Sequence, residues 1–279
     1  SKMIYTARSH AKVNLFLNIV GKDSKGYHNL QSYFVLLNLS DLITVNLSDH
    51  ATSCSFESSE QIENNIVVKA IEYINTINNS LKFAKIHIKK NIPIAAGLGG
   101  GSSNAAMILN LLPKLWNLPE LTCNQIKEVA YNIGADIPFF YYNKNSFIEG
   151  IGDKITSINV NKKLFILLVN PGLKVITKEV YSCIKGDFPP EILYNKEAII
   201  NEIFHGKNDL EKHVIQKHPL IGDLLKVIKE QNNCLVSRMS GSGSTCFGIF
   251  EQEEDLIKAK NKLRKLFENF WMYHEKICI

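Results

Sequence analysis

Three short segments of this chain carry residue types suited to anion or proton chemistry. The first is Pro93-Ile94-Ala95-Ala96-Gly97-Leu98-Gly99-Gly100-Gly101-Ser102-Ser103, followed by Asn104. Glycines lack Cβ, so successive backbone N–H groups can converge on a phosphate, and a helix beginning there adds unpaired amides and the positive end of its dipole. Ser102 and Ser103 contribute hydroxyl donors. The run lacks the closing Gly-Lys-Ser/Thr of a Walker loop and the last glycine of the dinucleotide fingerprint, so neither of those phosphate sites is expected. The plainer alternative is a flexible turn before a serine-capped helix.

The second segment is Gly134-Ala135-Asp136-Ile137-Pro138, with Ile133, Phe139 and Phe140 as apolar neighbours. A carboxylate in such surroundings needs a cation or hydrogen-bond donors, and carboxylates of this kind serve as catalytic bases. A turn-forming Asp is the competing account. The third segment, Met239-Ser240-Gly241-Ser242-Gly243-Ser244-Thr245, is by itself compatible with an ordinary hairpin turn.

The elements that must position these segments follow from periodicity. Val13, Leu15, Leu17 and Ile19 share one face of a strand, which leaves Lys12, Asn14, Phe16 and Asn18 on the other. Lys12 and Asn14 therefore point the same way. Apolar, β-branched runs at 31–38 and 41–47 predict two strands separated by a turn at Ser40-Asp41. Asn64 or Asn65 can cap a helix carrying Val67, Val68, Ile71 and Ile74. Ile86 and Ile88 alternate with Lys85, His87 and Lys89, a half-buried strand that ends before Pro93. Ala105, Ile108, Leu109 and Leu112 predict a helix after the glycine-rich run. Thr122 and Gln125 form a capping box for another helix, which stops at Gly134.

From about residue 150 the pattern restarts, so two domains, 1–150 and 151–279, are expected. Strand 164–169 leads into amphipathic helices between Thr177 and Gln231, interrupted by a turn-rich connection at 185–197. The end reads strand 235–239, glycine turn, strand 245–250, helix 253–270 and a last strand, an α+β arrangement.

With 45% hydrophobic and 21% charged residues among 279, a disordered chain is excluded. The longest apolar run, Leu164 to Val169, falls far short of the about 20 residues that a membrane span needs. The stretch from Ser1 to Lys12 has neither a basic start before an apolar stretch nor an Arg-rich amphipathic pattern, so no signal or transit peptide is expected. Cys54, Cys123, Cys183, Cys234, Cys246 and Cys278 show no metal-like spacing and suit reduced thiols, which makes the expected location cytoplasmic. The net charge of +5 favours anionic ligands without demanding nucleic acid, and the lysines between Lys82 and Lys90 alternate with apolar residues as a solvated strand face does. Neither a nucleic-acid nor a membrane partner is expected.

Taken together, these segments resemble the GHMP kinase superfamily, whose members include galactokinase, homoserine kinase and mevalonate kinase. Its loop, Pro-x-x-x-Gly-Leu-Gly-Ser-Ser, is present in an expanded form from Pro93 to Ser103. The opening Ala11-Lys12-Val13-Asn14-Leu15-Phe16-Leu17 and the element Gly26-Tyr27-His28-Asn29-Leu30-Gln31 are similar to the branch that acts on diphosphocytidyl methylerythritol in non-mevalonate isoprenoid synthesis. The resemblance extends through Asn170-Pro171-Gly172 to the Ser240–Thr245 run and so covers nearly the whole chain.

It implies a two-domain α+β GHMP kinase fold with the active site in the cleft between domains, and transfer of the γ-phosphate of ATP to the 2-hydroxyl of that small-molecule substrate. Asp136 would accept the hydroxyl proton, and Lys12 would hold Asp136 ionised while steadying developing charge. Pro93, Ile94, Ala95, Ala96, Gly97, Leu98, Gly99, Gly100, Gly101, Ser102 and Ser103 would wrap the ATP phosphates, with Asn65 on the adenine side. Asn14, Tyr27, His28, Phe34, Thr177 and Tyr181 would bind the substrate, the aromatic rings holding its cytosine. Magnesium is expected with ATP, although no acidic residue announces itself as a ligand and Ser103 is the named candidate. Tyr181 stands where some relatives have Phe, and Lys22-Asp23-Ser24-Lys25 replaces an arginine-containing run.

Overall fold

The computed structural model describes residues 3–58 and 65–279. The described chain forms β1 (Ile4–Lys22), β2 (His28–Ser48), β3 (Ser53–Glu57), α1 (Ile66–Asn78), β4 (Phe83–Lys89), α2 (Gly100–Leu115), α3 (Cys123–Asn132), α4 (Ile137–Tyr142), β5 (Ser146–Glu149), β6 (Lys154–Ser157) and β7 (Lys163–Asn170). There follow α5 (Thr177–Ser182), α6 (Lys196–His205), α7 (Glu211–Lys217), α8 (Pro219–Lys229), β8 (Cys234–Met239), β9 (Cys246–Phe250), α9 (Glu253–Leu266) and β10 (Trp271–Cys278). These elements build two compact units, each assembled from separate stretches of chain: Ser1–Ala11, Asn38–Ile94 and Gly99–Lys144 in one, Lys12–Leu37, Ala95–Leu98 and Asn145–Ile279 in the other.

In the first unit the far half of β2 pairs antiparallel with β4, from Leu42 opposite Lys89 to Ser48 opposite Phe83, and β3 runs parallel to β4. Alternation along β4 sends Ala84, Ile86 and Ile88 inward and Lys85, His87 and Lys89 to water. Val67, Ile71 and Ile74 of α1 join Ala105, Ile108, Leu109 and Leu112 of α2 in the core, together with Phe139 and Phe140 of α4. Helix starts follow their caps. Asn65 accepts from the amides of Val67 and Val68, and Thr122 and Gln125 make a reciprocal capping box. Asn64, the other cap considered, lies outside the described residues.

The turn expected at Ser40-Asp41 does not occur, because β2 runs straight through it. Asp41 is fully buried and its carboxylate is saturated. Oδ1 accepts from the amides of Asn91 at 2.7 Å and Ile92 at 2.9 Å, and Oδ2 accepts from Lys90 Nζ at 2.5 Å and Asn104 Nδ2 at 3.0 Å. Lys90 is correspondingly no part of a solvated face, its side chain being only 7% exposed. Two turn-forming residue types are thus accommodated mid-strand by partners distant in sequence.

In the second unit an antiparallel sheet has the order β10-β7-β9-β8, and the near half of β2 pairs with β5, which pairs with β6. The stretch of β1 from Ala11 to Ile19 is buried on both faces. The Ser240–Thr245 run is more than a hairpin turn. Ser240, Ser244 and Thr245 are fully buried, and every one of them is hydrogen-bonded to a distant part of the unit. Ser240 Oγ donates to Gly97 O at 2.9 Å and accepts from Asn14 N at 3.2 Å, while the Thr245 amide donates to Ala96 O at 3.1 Å. Ser244 Oγ donates to Leu173 O, Asn170 Nδ2 donates to Thr245 Oγ1, and Asn208 Nδ2 donates to the carbonyls of Met239 and Gly241.

Beneath this loop Arg238 donates to the carbonyls of Leu15, Ile203 and Gly206, and burial draws its guanidinium pKa down to about 10. The connection at 185–197 is tied at Ile192, whose backbone amide donates to the side chain of Gln31 and whose carbonyl accepts from it. Helix α9 ends four residues before the expected Phe270, because the chain turns there and Phe267 and Phe270 stack with centroids 4.7 Å apart.

Gly97 has φ +79°, and a Cβ there would lie 2.2 Å from Ser240 O. Gly97→Ala must therefore push the two glycine loops apart as well as strain the backbone, at a cost of about 2 kcal/mol. Thermal unfolding is the check: a lowered midpoint is expected, and an unchanged one would contradict the close approach of Gly97 to Ser240.

Candidate active site

Helix α2 begins at Gly99, whose left-handed backbone (φ 69°) no side-chain cap supports. The serine-capped start is thereby replaced by a glycine one, with Ser102 and Ser103 inside the first turn. The first intrahelical bond, Ser103 N to Gly99 O at 2.9 Å, leaves the amides of Gly100, Gly101 and Ser102 ahead of it with no helical acceptor. Three adjacent donors at the positive end of a 16-residue helix suit a polyphosphate. Pro93 and Ile94 lead toward this turn.

The Gly134–Asp136 turn sits against the same helix start. A Cβ on Gly134 would come within 3.3 Å of Ser102 Oγ and 3.2 Å of Ile66 Cδ1 at the start of α1, so glycine permits the close packing of three elements. Asp136 follows two residues on, at the N-cap of α4, and is half-buried. Asn65, capping α1 directly before Ile66, belongs to this neighbourhood through the contact of Ile66 with Gly134. Its carbonyl Oδ1 is engaged by two helix amides at 3.1 and 3.3 Å, and its side chain also makes a hydrogen bond to Cys54 that favours the thiolate.

In the second unit Lys12 and Asn14 point the same way, as period-two alternation requires, and Lys12 Nζ donates to Asn14 Oδ1. The ammonium stands 4.7 Å above the ring of Phe34, a cation–π contact, and Lys12 N donates to Leu98 O at 2.9 Å. Asn14 Nδ2 reaches Ser32 Oγ at 3.3 Å. A lysine that is 97% withdrawn from water in this way, with relative exposure 3%, is a fixed charge and not a solvated edge-strand residue. Ala95, Ala96, Gly97 and Leu98 belong to this unit and meet the Ser240–Thr245 loop.

His28 pairs with Tyr181 at 5.3 Å between ring centroids. Among the described residues, His28 Nε2 is the buried side-chain polar atom left with no hydrogen-bond partner. Burial first, and the charge of Lys22 second, lower its pKa, so the ring stays neutral near pH 7 and can offer Nε2 to an uncharged base edge. Tyr27 is 43% exposed on the turn before β2. Thr177 is the first residue of α5 and not its cap, which is Ile176, and its hydroxyl meets Ser242 Oγ at 2.7 Å.

Sequence reasoning missed Asp41, Asn208 and Arg238, which hold the two glycine loops; each works through partners far along the chain, so no local signal marks it. No group of three or more His, Cys, Asp or Glu among the described residues could hold a metal ion, and no helix is long and apolar enough to cross a membrane.

Comparison with known proteins places the chain in a family. Residues 65–144 match the GHMP kinases N terminal domain and residues 196–269 the GHMP kinases C terminal domain. The 4-diphosphocytidyl-2-C-methyl-D-erythritol kinase of Wolbachia pipientis wMel is 33% identical over 290 aligned positions, covering 99% of each chain. That of Clostridioides difficile is 35% identical, covering 95% of this chain and 93% of its own. The crystal structure of a 4-(cytidine 5'-diphospho)-2C-methyl-D-erythritol kinase superposes with a TM-score of 0.76 at 28% identity, covering 97% of this chain and 98% of that one. A homoserine kinase from Cytophaga hutchinsonii, at 16% identity and TM-score 0.67, shares the fold. Full-length similarity of this kind, together with the match to both domain models, means that the protein belongs to the GHMP kinases, in the 4-diphosphocytidyl-2-C-methyl-D-erythritol kinase family.

Proposed function

We propose that this protein transfers the γ-phosphate of ATP to the 2-hydroxyl of 4-diphosphocytidyl-2-C-methyl-D-erythritol, a step in isoprenoid precursor synthesis. The observation that carries the reading is the start of α2, where Gly100, Gly101 and Ser102 present amides to an anion in a chain whose full-length relatives bear that kinase name. Phosphoryl transfer asks the protein mainly for positioning and charge stabilisation. The residues from Pro93 to Ser103 would cradle the nucleotide phosphates, and Asn65, at the start of α1, would lie on the adenine side.

Asp136 would take the proton from the acceptor hydroxyl as the O–P bond forms, and Lys12 would keep that carboxylate ionised while steadying charge on the nucleophile. Asn14 supports this role by orienting the Lys12 ammonium. At the other end of the acceptor, Tyr27 and Tyr181 would bracket the cytosine, His28 Nε2 would pair with its polar edge and Thr177 would bind along the diphosphate side, whereas Phe34, 2% exposed and beneath the Lys12 ammonium, would support the site at the lysine end. Magnesium would come with ATP and supply charge neutralisation at the phosphates. The described residues offer no carboxylate cage, so phosphate oxygens would provide most of its ligands, with the Ser103 hydroxyl the protein's contribution.

ADP release measured with Mg-ATP and each of the diphosphocytidyl acceptor, mevalonate and homoserine tests the assignment. Turnover with the first alone is expected; turnover with another acceptor, or with none, would overturn it. Asp136→Asn should lower kcat by about 10²- to 10⁴-fold with the KM for ATP nearly unchanged, since it removes a base and not a binding contact. His28→Ala should raise the KM for the cytidine acceptor by about tenfold and leave that for ATP alone, because it deletes a base-edge contact. Equal shifts in both KM values would detach His28 from cytosine recognition.

A further inference from the structure

The segment that opens α2 has four glycines between positions 97 and 101, which carry no side chain to brace it, and both of its flanks are tied to one buried carboxylate. On the entry side, Asp41 Oδ1 accepts from Asn91 N at 2.7 Å and Ile92 N at 2.9 Å, the two amides directly before Pro93. On the exit side, Oδ2 accepts from Asn104 Nδ2 at 3.0 Å, directly after Ser103. Lys90 closes the ring by donating to Asp41 Oδ2 at 2.5 Å and to Asn104 Oδ1 at 3.1 Å. Asn104 also donates to Ser9 Oγ at 2.6 Å, and Asn91 Nδ2 donates to Ser40 O at 3.0 Å, so the ring is anchored to β1 and β2.

We propose that Asp41 is a positioning residue for nucleotide binding: it fixes the distance between the strand exit at Asn91-Ile92 and the first turn of α2, and so sets the convergence of the Gly100, Gly101 and Ser102 amides. The proposal rests on the reading of Pro93–Ser103 as the ATP phosphate loop.

Three features distinguish this from a carboxylate that merely holds the fold together. Its four acceptor contacts go to residues 90, 91, 92 and 104, all within three positions of the loop's ends and none elsewhere. Gly100 is held close to the ring, since a Cβ there would stand 3.2 Å from both Lys90 Nζ and Ile92 Cγ2. A carboxylate saturated by two backbone amides and two side chains leaves its donors no second geometry, so loop and helix start move only if a buried charge is uncovered. Because amides in an anion cradle act by direction and distance, a displacement of about 1 Å is enough to weaken them by an order of magnitude or more.

The test uses the full chain and compares Asp41→Asn with the double variant Asp41→Asn, Lys90→Met. The single variant keeps an oxygen for the two backbone amides but strips Lys90 of its counter-ion; the double variant removes the stranded ammonium. Steady-state ADP release gives KM for ATP and for the acceptor separately, and calorimetric titration with Mg-ADP gives nucleotide affinity on the folded fraction. For Asp41→Asn the KM for ATP and the Kd for Mg-ADP should rise about tenfold while the KM for the acceptor stays within about twofold, and the double variant should recover at least half of the loss on a logarithmic scale.

A purely structural role would lower the melting temperature and the yield of active enzyme with both nucleotide constants unchanged, and that result would overturn the proposal. If the single variant does not fold, the double variant decides by the same constants: wild-type nucleotide affinity in a protein whose Asp41 charge is gone and whose Asn91 and Ile92 amides exchange freely with deuterium would equally overturn it. Wild-type protein that binds no Mg-ADP would overturn the phosphate-loop reading beneath it, which separates the two failures.

Discussion

A loop made of glycine has no side chains with which to hold itself, so the amides it offers are placed only as well as the groups around it are placed. That constraint organises much of this protein. On one side Asp41 gathers the strand exit and the start of α2. In the other unit Ser240 and Thr245 take up the carbonyls of Gly97 and Ala96, so the middle of the same segment is fixed by a second glycine loop. The glycines at 97 and 241 supply the close backbone approach, and neighbouring serines supply the hydrogen bonds that glycine cannot make.

Such an arrangement places many polar groups out of water. Each buried hydrogen bond contributes only about 1 kcal/mol net, whereas leaving a partner unpaired costs about 1–3 kcal/mol, so a buried polar loop is worthwhile only if it is fully satisfied. The Ser240–Thr245 run meets that condition. Asn208 bridges the carbonyls of Met239 and Gly241, Asn170 holds Thr245, and Arg238 spreads one guanidinium over the carbonyl of Leu15 in β1 and those of Ile203 and Gly206 at the end of α6. The drop of the Arg238 pKa to about 10 measures how far that cation has been taken from water, and carbonyl dipoles with Glu211 and Glu202 nearby are what keep it charged.

What the sequence could disclose follows the range of the interactions. Local ones were legible: the capping box of Thr122 and Gln125, the cap at Asn65, alternation along β4, and the shared face of Lys12 and Asn14 all depend on neighbours within a few residues. The glycine-rich segment was legible as an anion site because its chemistry lies in its own backbone. Ser40-Asp41 misled for the converse reason. Its residue types favour a turn, and the partners that convert it into mid-strand structure lie 49 to 63 residues away. The serines from 240 to 244 look like hairpin filler until Asn14 and Gly97, more than 140 residues earlier, are brought against them. Lys90 directly follows an alternating strand at a position of inward parity, and the buried acid explains how a lysine is accommodated there.

The remaining asymmetry is between the well-satisfied loops and the single orphaned nitrogen of His28. Among the described residues the other buried side-chain donors and acceptors are matched, so a withheld partner at a neutral ring beside Tyr181 is a local cost with no structural return. It acquires a return if a ligand brings the partner. A base edge that completes the hydrogen bond recovers the cost, while a ligand of similar size without a polar edge leaves it in place and adds desolvation of its own. Discrimination then arises from an unmet requirement of the free protein, and it operates at the end of the acceptor remote from the hydroxyl. That division suits a kinase whose phosphate machinery is common to a large superfamily: selectivity for one acceptor needs a contact that the shared chemistry does not itself provide.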